Sequence, residues 1–385
     1  MPELSADAAA ALHERLFTID THSDTPTASF ERDGWDFSAR HDRVADDSQI
    51  DLPRMRAGGV DAMVFAVYVP QAARTPAGHA AAHALALGHF ERTHQQLARC
   101  RVECGLALTA DDALRLKAEG KRAIFLSIEN SYSLGRDPAN VEKFFQLGGR
   151  MIGLTHMLNN DLADSSTDPR GAEWGGLSAL GREMVAECNR LGIVVDASHA
   201  SDDVLRDLLD RSRAPVMLSH SDCRAICDHP RNIGDELLRA LAAKGGMLQM
   251  NALPISLVDA PGNGRTAASA EVLLRFKDVV ISPEMLAAAD REYHQVAIDH
   301  PNPTVTRDDF LRHLEHAVAV AGAEHVGIGC DLDGGGGGFE GLRDVSDFPR
   351  ITSGLVARGW REDVLVKVWG ENTLRLFRTV QQGAG

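Results

Sequence analysis

The chain has 385 residues, of which 44% are hydrophobic and 25% charged, and its 55 acidic side chains outnumber 40 basic ones for a formal net charge of −15. Such a composition is globular and argues against a nucleic-acid partner, which would need a basic stripe to neutralise phosphates. No apolar run is long enough to cross a membrane.

The start, MPELSADAAAALHERL, reads as an acidic amphipathic helix with Ser5 as its N-cap. It lacks the basic and apolar regions of a signal peptide, so a cytoplasmic protein with no membrane partner is expected. Short aliphatic and β-branched runs then follow at 17–24, 62–69, 123–130, 151–156, 192–199, 215–221, 245–251 and 325–331, most of them leading into a helical stretch. The segment 100–108 is also strand-like and competes for a place among them. Thr109 with Asp111 and Asp112 opens one helix and Gly120 closes it; Ser201-Asp202-Asp203 opens another. The alternation predicts an α/β fold, a (β/α)8 TIM-type barrel. With no repeat and no linker, residues 1–385 are expected to form a single barrel domain carrying an insertion at about 252–306.

That insertion breaks the rhythm, because about seventy residues separate the seventh and eighth strands, far more than one crossover helix needs. Two helices are predicted within it, at 268–279 and 283–299, between the turn-rich PGNG and HPNP. It is either a surface decoration, including a contact between copies in a homo-oligomer, or a lid, since loops after barrel strands lie on the catalytic face.

Six metal-ligating or acid/base side chains stand at the ends of the apolar runs. They are His22 and Asp24 in FTIDTHSD, Glu129 in AIFLSIEN, His199 in GIVVDASH, His220 in PVMLSHS and Asp331 in HVGIGCDLD. In a closed barrel the C-terminal strand ends converge on one face. Three imidazoles and three carboxylates gathered there without a shared partner would be costly to bury, so a metal site, with two metals, is expected. His22 and Asp24, two apart on a strand, point to the same face.

Other features carry less. His79-x-x-x-His83 has helical ligand spacing but lacks the Glu of an HExxH site, which leaves a solvated helix face. Gly334–Gly338 lacks the Lys-Ser/Thr of a phosphate loop and suggests mobility after the last strand. Cys100, Cys104, Cys188, Cys223, Cys227 and Cys330 form no CxxC pair; buried, reduced thiols are expected.

The chain resembles the renal, or membrane, dipeptidase family of zinc peptidases within the amidohydrolase-like barrels. The resemblance runs through IDTHSDTP, SIEN, GLTH, GLSALGREMVAECNRLGIVVDASH, SHSDCRAICDHPRNIGDELLRAL, GIGCDLDG and GENTLRLF. It implies two zinc ions per chain, His22 and Asp24 on one, His199 and His220 on the other, and Glu129 bridging. It further implies Asp331 as the acid/base beside a metal-bridging hydroxide, His156 at the scissile group, and Arg231 on the free carboxylate of a dipeptide, substrates with a C-terminal D-residue included. Leu332 departs from the family's usual aromatic, and MLNNDLADSST after His156 follows the family loop only loosely.

The implied chemistry is physically coherent. Paired divalent ions lower the pKa of a water between them, and His156 would stabilise a developing oxyanion. Asp331 would shuttle a proton, and the planar guanidinium of Arg231 suits a carboxylate. Hydrolysis of an N-acyl amino acid or a lactam on the same barrel is the enzymatic alternative. A non-catalytic metal-binding scaffold is the third reading, and Asp331 and Arg231, which metal binding does not require, speak against it.

Overall fold

The computed structural model describes residues 6–385, so the expected cap Ser5 lies outside the described residues. Nine strands run parallel in one sheet: β1 (Ile19–Ser23), β2 (Ala62–Tyr68), β3 (Cys104–Leu106), β4 (Arg122–Glu129), β5 (Gly149–Gly153), β6 (Val194–Asp196), β7 (Met217–Ser221), β8 (Met247–Met250) and β9 (Val326–Ile328). Their order is β1-β2-β4-β5-β6-β7-β8-β9, with β3 joined to β4 alone. The ring closes where Ser23 bridges Leu332, with Asp24 N–H donating to Leu332 O and Asp331 N–H to His22 O. This is a TIM-type barrel of eight strands.

The strand-like segment 100–108 does not join the barrel. β3 pairs with Arg122–Ile124, the first residues of β4, and β5 takes over along Leu126–Ile128. The two share one edge of β4 because β2 occupies the other along its whole length.

Two-residue periodicity divides the core. Ala62 and Val64 of β2 point into the barrel with Ala123, Phe125, Met151, Val194, Met217 and Met247, while Met63, Phe65 and Val67 face the outer helices. Leu374, Phe377 and Val380 of the last helix (Asn372–Gln382) join that interior layer, and the Phe377 ring packs with its centre 4.8 Å from that of Phe125, tilted by 38°. That helix plugs the N-terminal end, so the polar strand ends open at the other.

Three predicted strands run three residues too far. β5 stops at Gly153, β6 at Asp196 and β9 at Ile328, and His199 and Asp331 adopt left-handed backbone with φ of 68° and 59°. A continuing strand has φ below zero, so these side chains enter the mouth from turns beyond the strand ends. Four of the five non-glycine residues with positive φ among the described residues, namely Asn130, His199, Asp331 and Asp333, gather at this mouth, as strained residues do at functional sites.

The predicted helix caps form as read: Thr109 and Asp112 make a capping box, Gly120 has φ 74°, and Ser201 accepts from Val204 N–H. The two insertion helices span Arg265–Phe276 and Pro283–Asp299. The first begins three residues before its predicted start, because Gly264, at φ 68°, lets the turn end directly on Arg265. The crossover to β9 is a separate helix, Arg307–Ala321, opened by a Thr306/Asp309 capping box. Among the described residues no helix is long and apolar enough to cross a membrane.

Candidate active site

All six strand-end residues meet at the mouth. Glu129 stands at the centre, 4% exposed, with its two oxygens facing different ways. Oε2 lies 3.4 Å from His22 Nε2, while Oε1 lies 3.1 Å from His199 Nε2 and 3.7 Å from His220 Nε2. Asp24 Oδ2 and Asp331 Oδ1 each lie 3.9 Å from His22 Nε2. Asp24 is no longer on the strand; it opens the short helix Thr25–Ala28, yet its carboxylate still turns toward His22. His156 sits above, its ring 4.2 Å from that of His199 and its Nε2 3.8 Å from Glu129 Oε1. Arg231 is buried beside them, its Nη2 donating to His220 O at 3.3 Å.

Burial dominates the electrostatics. It pushes Glu129 up to about 7, and it raises Asp24 and Asp331 well above the usual carboxylate range, with neighbouring carboxylates adding to the effect. It pushes His156 down to about 3, with Arg231 next in effect, and holds His199 and His220 well below the usual imidazole value. Three carboxylates crowd against imidazoles of which His156, His199 and His220 resist protonation, and the guanidinium of Arg231 is the cation beside them.

The side chains fit a bound cation. The donor atoms fall into the sets His22/Asp24/Glu129, Glu129/His199/His220 and His22/Asp196/His220, each within 4.8 Å; in the third, Asp196 already accepts from the Ser198 and Ser219 main-chain N–H groups and the Ser219 hydroxyl. Among the described residues, buried His22 Nε2 and Asp24 Oδ1 have no hydrogen-bond partner. The Ser219 hydroxyl donates to Asp196 Oδ2 at 2.5 Å and therefore accepts from His220 Nδ1 at 2.8 Å, leaving the lone pair of His220 on Nε2. That nitrogen faces His199 Nε2 at 2.9 Å, two imidazole nitrogens converging on one point. Histidine and carboxylate donors in these sets suit a divalent transition metal.

The cluster floors a cavity of about 380 Å³. Beyond the predicted residues it is bordered by Tyr68, His229, Asp333 and Gly334, and by Arg265, Thr266 and Tyr293 of the insertion. Tyr68 was missed although it ends β2 and pairs in register with Glu129; the strand-end rule would have found it had it been applied to aromatic residues. His229, Arg265 and Thr266 lie on loops or at a helix start, where no periodicity marks them.

Two expectations change. The glycine run is shaped by close packing: a Cβ on Gly334 would lie 2.0 Å from Asp24 Oδ2 and 2.3 Å from Asp331 Oδ1. His79 and His83 are not on a solvated face. They pack inward from the helix Pro76–Arg99, His79 Nε2 bonding Asp161 Oδ2 at 2.9 Å and His83 Nδ1 bonding Ser133 O at 3.2 Å. All six cysteines are buried and free, and burial raises the thiol pKa of each.

Comparison with known proteins is consistent along the whole length. The family model described as membrane dipeptidase (Peptidase family M19) matches residues 6–385. Dipeptidase aclJ of Aspergillus oryzae is 30% identical over 341 residues, which cover 87% of this chain and 71% of that protein. The crystal structure of the probable dipeptidase PvdM from Pseudomonas aeruginosa superposes with a TM-score of 0.83 at 27% identity over 100% of both chains. A metallo peptidase from Rhodobacter sphaeroides, liganded with a phosphinate mimic of the dipeptide L-Ala-D-Ala, shares the fold with a TM-score of 0.75 at 23% identity, covering 95% of this chain and 99% of that one.

Proposed function

The chain belongs to the membrane dipeptidase family of metallopeptidases, and on that premise we propose that it is a dipeptidase holding two zinc ions, with substrates that include dipeptides bearing a C-terminal D-residue. The observation that carries the reading is Glu129, which presents one oxygen to His22 and the other to His199 and His220. His22 and Asp24 would hold one ion, His199 and His220 the other, and Glu129 both. When bound, such ions supply Lewis acidity toward the scissile carbonyl and lower the pKa of water to near neutrality.

The chain's own side chains do the rest. Arg231, buried and free of any protein ion pair among the described residues, binds the α-carboxylate of the substrate and sets how far the peptide bond lies from the floor. The neutral ring of His156 offers an N–H to the carbonyl oxygen as it gains charge, without adding a competing cation. Asp331 takes the proton from the attacking water and returns it to the departing amine. The insertion covers the cavity as part of a single barrel domain and keeps bulk water from the reacting atoms. The phosphinate-bound relative supports the inclusion of a C-terminal D-residue.

The test is to strip the protein with a chelator, reconstitute it with zinc and measure metal content alongside hydrolysis of L,L and L,D dipeptides and N-acyl amino acids. About two metals per chain and preferred cleavage of dipeptides are expected. Full activity at one metal per chain would remove the shared role of Glu129. Faster cleavage of N-acyl amino acids than of any dipeptide would replace the substrate assignment.

A further inference from the structure

Arg265, at the start of the first insertion helix, borders the active-site cavity but has no part in the chemistry above. Its main-chain N–H donates to Asn263 Oδ1 at 3.1 Å and its Nη1 to His300 O at 2.8 Å. Among the described residues the rest of the guanidinium has no hydrogen-bond partner, and no carboxylate lies within 4.0 Å of it. Burial disfavours its charge and no neighbouring acid offsets that. A half-buried, partly free guanidinium facing a substrate cavity is built to receive an anion.

Thr266 completes the corner. His229 Nδ1 accepts the main-chain N–H of Arg231 at 3.2 Å, which leaves the ring proton on Nε2, donated to Thr266 Oγ1 at 2.7 Å. The Thr266 hydroxyl hydrogen then has no acceptor among the described residues and is available to a ligand in the cavity. The same relay fixes the corner beside Arg231.

The order along the cavity follows from the contacts. Arg231 reaches the floor through Nη2, which donates to His220 O, and its main-chain N–H bonds the near nitrogen of the His229 ring. Thr266 bonds the far nitrogen of that ring, so Arg265 and Thr266 stand across His229 from Arg231, on the insertion side. Arg265, Thr266 and His229 also line an adjoining cavity, where Asp228 and Asp259 disfavour an anion. Were the α-carboxylate of a dipeptide to rest on Arg231, this corner, one imidazole ring away, would be open to the side chain of its C-terminal residue.

We propose that Arg265 and Thr266 form a subsite for a second carboxylate, so that the enzyme selects dipeptides whose C-terminal residue is aspartate or glutamate. The proposal rests on the dipeptidase reading.

The test compares kcat/KM for Ala-Glu against Ala-Gln, and Ala-Asp against Ala-Asn, in the zinc-loaded wild type, Arg265→Gln, Arg265→Lys and Thr266→Val. The acid-to-amide ratio should be at least ~10 in the wild type, the scale of one charge-assisted hydrogen-bond pair. Arg265→Gln should bring it to about 1 whatever it does to the absolute rate, while Arg265→Lys keeps part of it and Thr266→Val lowers it. An arginine that only pins the His300 carbonyl would slow acid and amide substrates alike. An unchanged ratio in Arg265→Gln, or a wild-type ratio near or below 1, overturns the subsite. Thermal-shift titrations with the same peptides separate the two readings if none is cleaved. The dipeptidase assignment would then fall, Arg265-dependent preference for binding Ala-Glu would uphold the subsite, and equal binding of Ala-Glu and Ala-Gln would remove it.

Discussion

The hydroxyl of Ser219 lies 2.5 Å from Asp196 Oδ2, and that single contact decides which nitrogen of His220 carries a proton. Asp196 is itself held by the Ser198 and Ser219 main-chain N–H groups, each at 2.9 Å. The carboxylate can only accept, so the hydroxyl must donate to it and receive the His220 Nδ1 proton in turn. Metal-ligating histidines commonly depend on such a partner for both tautomer and ring orientation.

Ser219→Ala should therefore weaken metal binding by roughly 10- to 100-fold while leaving the donor atoms in place. Ser219→Thr, which keeps the hydroxyl, should restore much of it. Competition against a chromophoric chelator reads this directly. Wild-type affinity in Ser219→Ala would mean that packing alone orients the ring.

Asp331 lies close enough to His22 to look like a ligand, at 3.9 Å, but its proposed task is proton transfer. Asp331→Asn should retain most of its metal and lose at least ~10²-fold in turnover. Near-normal turnover with metal retained would take Asp331 out of the mechanism.

Arg231 and the substrate carboxylate can be tested as a pair. Amidating the dipeptide and introducing Arg231→Ala should each lower kcat/KM by ~30-fold to several thousand-fold, the scale of a broken buried charge contact. Combining them should add little, because both remove one interaction. Additive penalties would make Arg231 a structural residue. Tripeptides should be poor substrates, since their terminal carboxylate lies one residue too far from the floor.

His313 supplies a pH dependence remote from the metal-binding cluster. It is fully buried on the crossover helix, accepting from Cys223 N–H at Nδ1 (3.0 Å) and donating to Leu257 O from Nε2 (2.9 Å). Burial pushes it down to about 4 from 6.5. Its folded-state pKa lies below the unfolded value, so the unfolded chain binds the proton more readily. The stabilisation is whole above about 6.5 and is lost as pH falls toward about 4, on the order of 3 kcal/mol in all. In urea titrations across that window, His313→Gln should show a stability slope shallower than wild type by up to about one proton. Parallel slopes would show that His313 does not titrate on unfolding.

The barrel and the convergence of six polar strand-end side chains were legible in the sequence because strand ends are a local property. Aliphatic runs of the right length mark buried parallel strands, and a polar residue closing such a run has only the mouth to occupy. His22, Glu129 and His220 needed nothing more. The overextended strands at His199 and Asp331 have a local cause too: hydrophobic pattern reports burial but not the sign of φ, and both residues are left-handed.

What the tertiary structure alone decided is which atoms become partners. Ser219 reads as one more serine in LSHS until β7 is laid beside β6 and Asp196, 23 residues away in sequence, reaches its hydroxyl. Arg265 reads as a charge after a glycine turn until the insertion folds over the cavity and leaves it there without a counter-ion. Periodicity determines the face a residue occupies within its own element. The partner it meets depends on register between elements and on how a long connection returns, and those follow from burying the whole core at once.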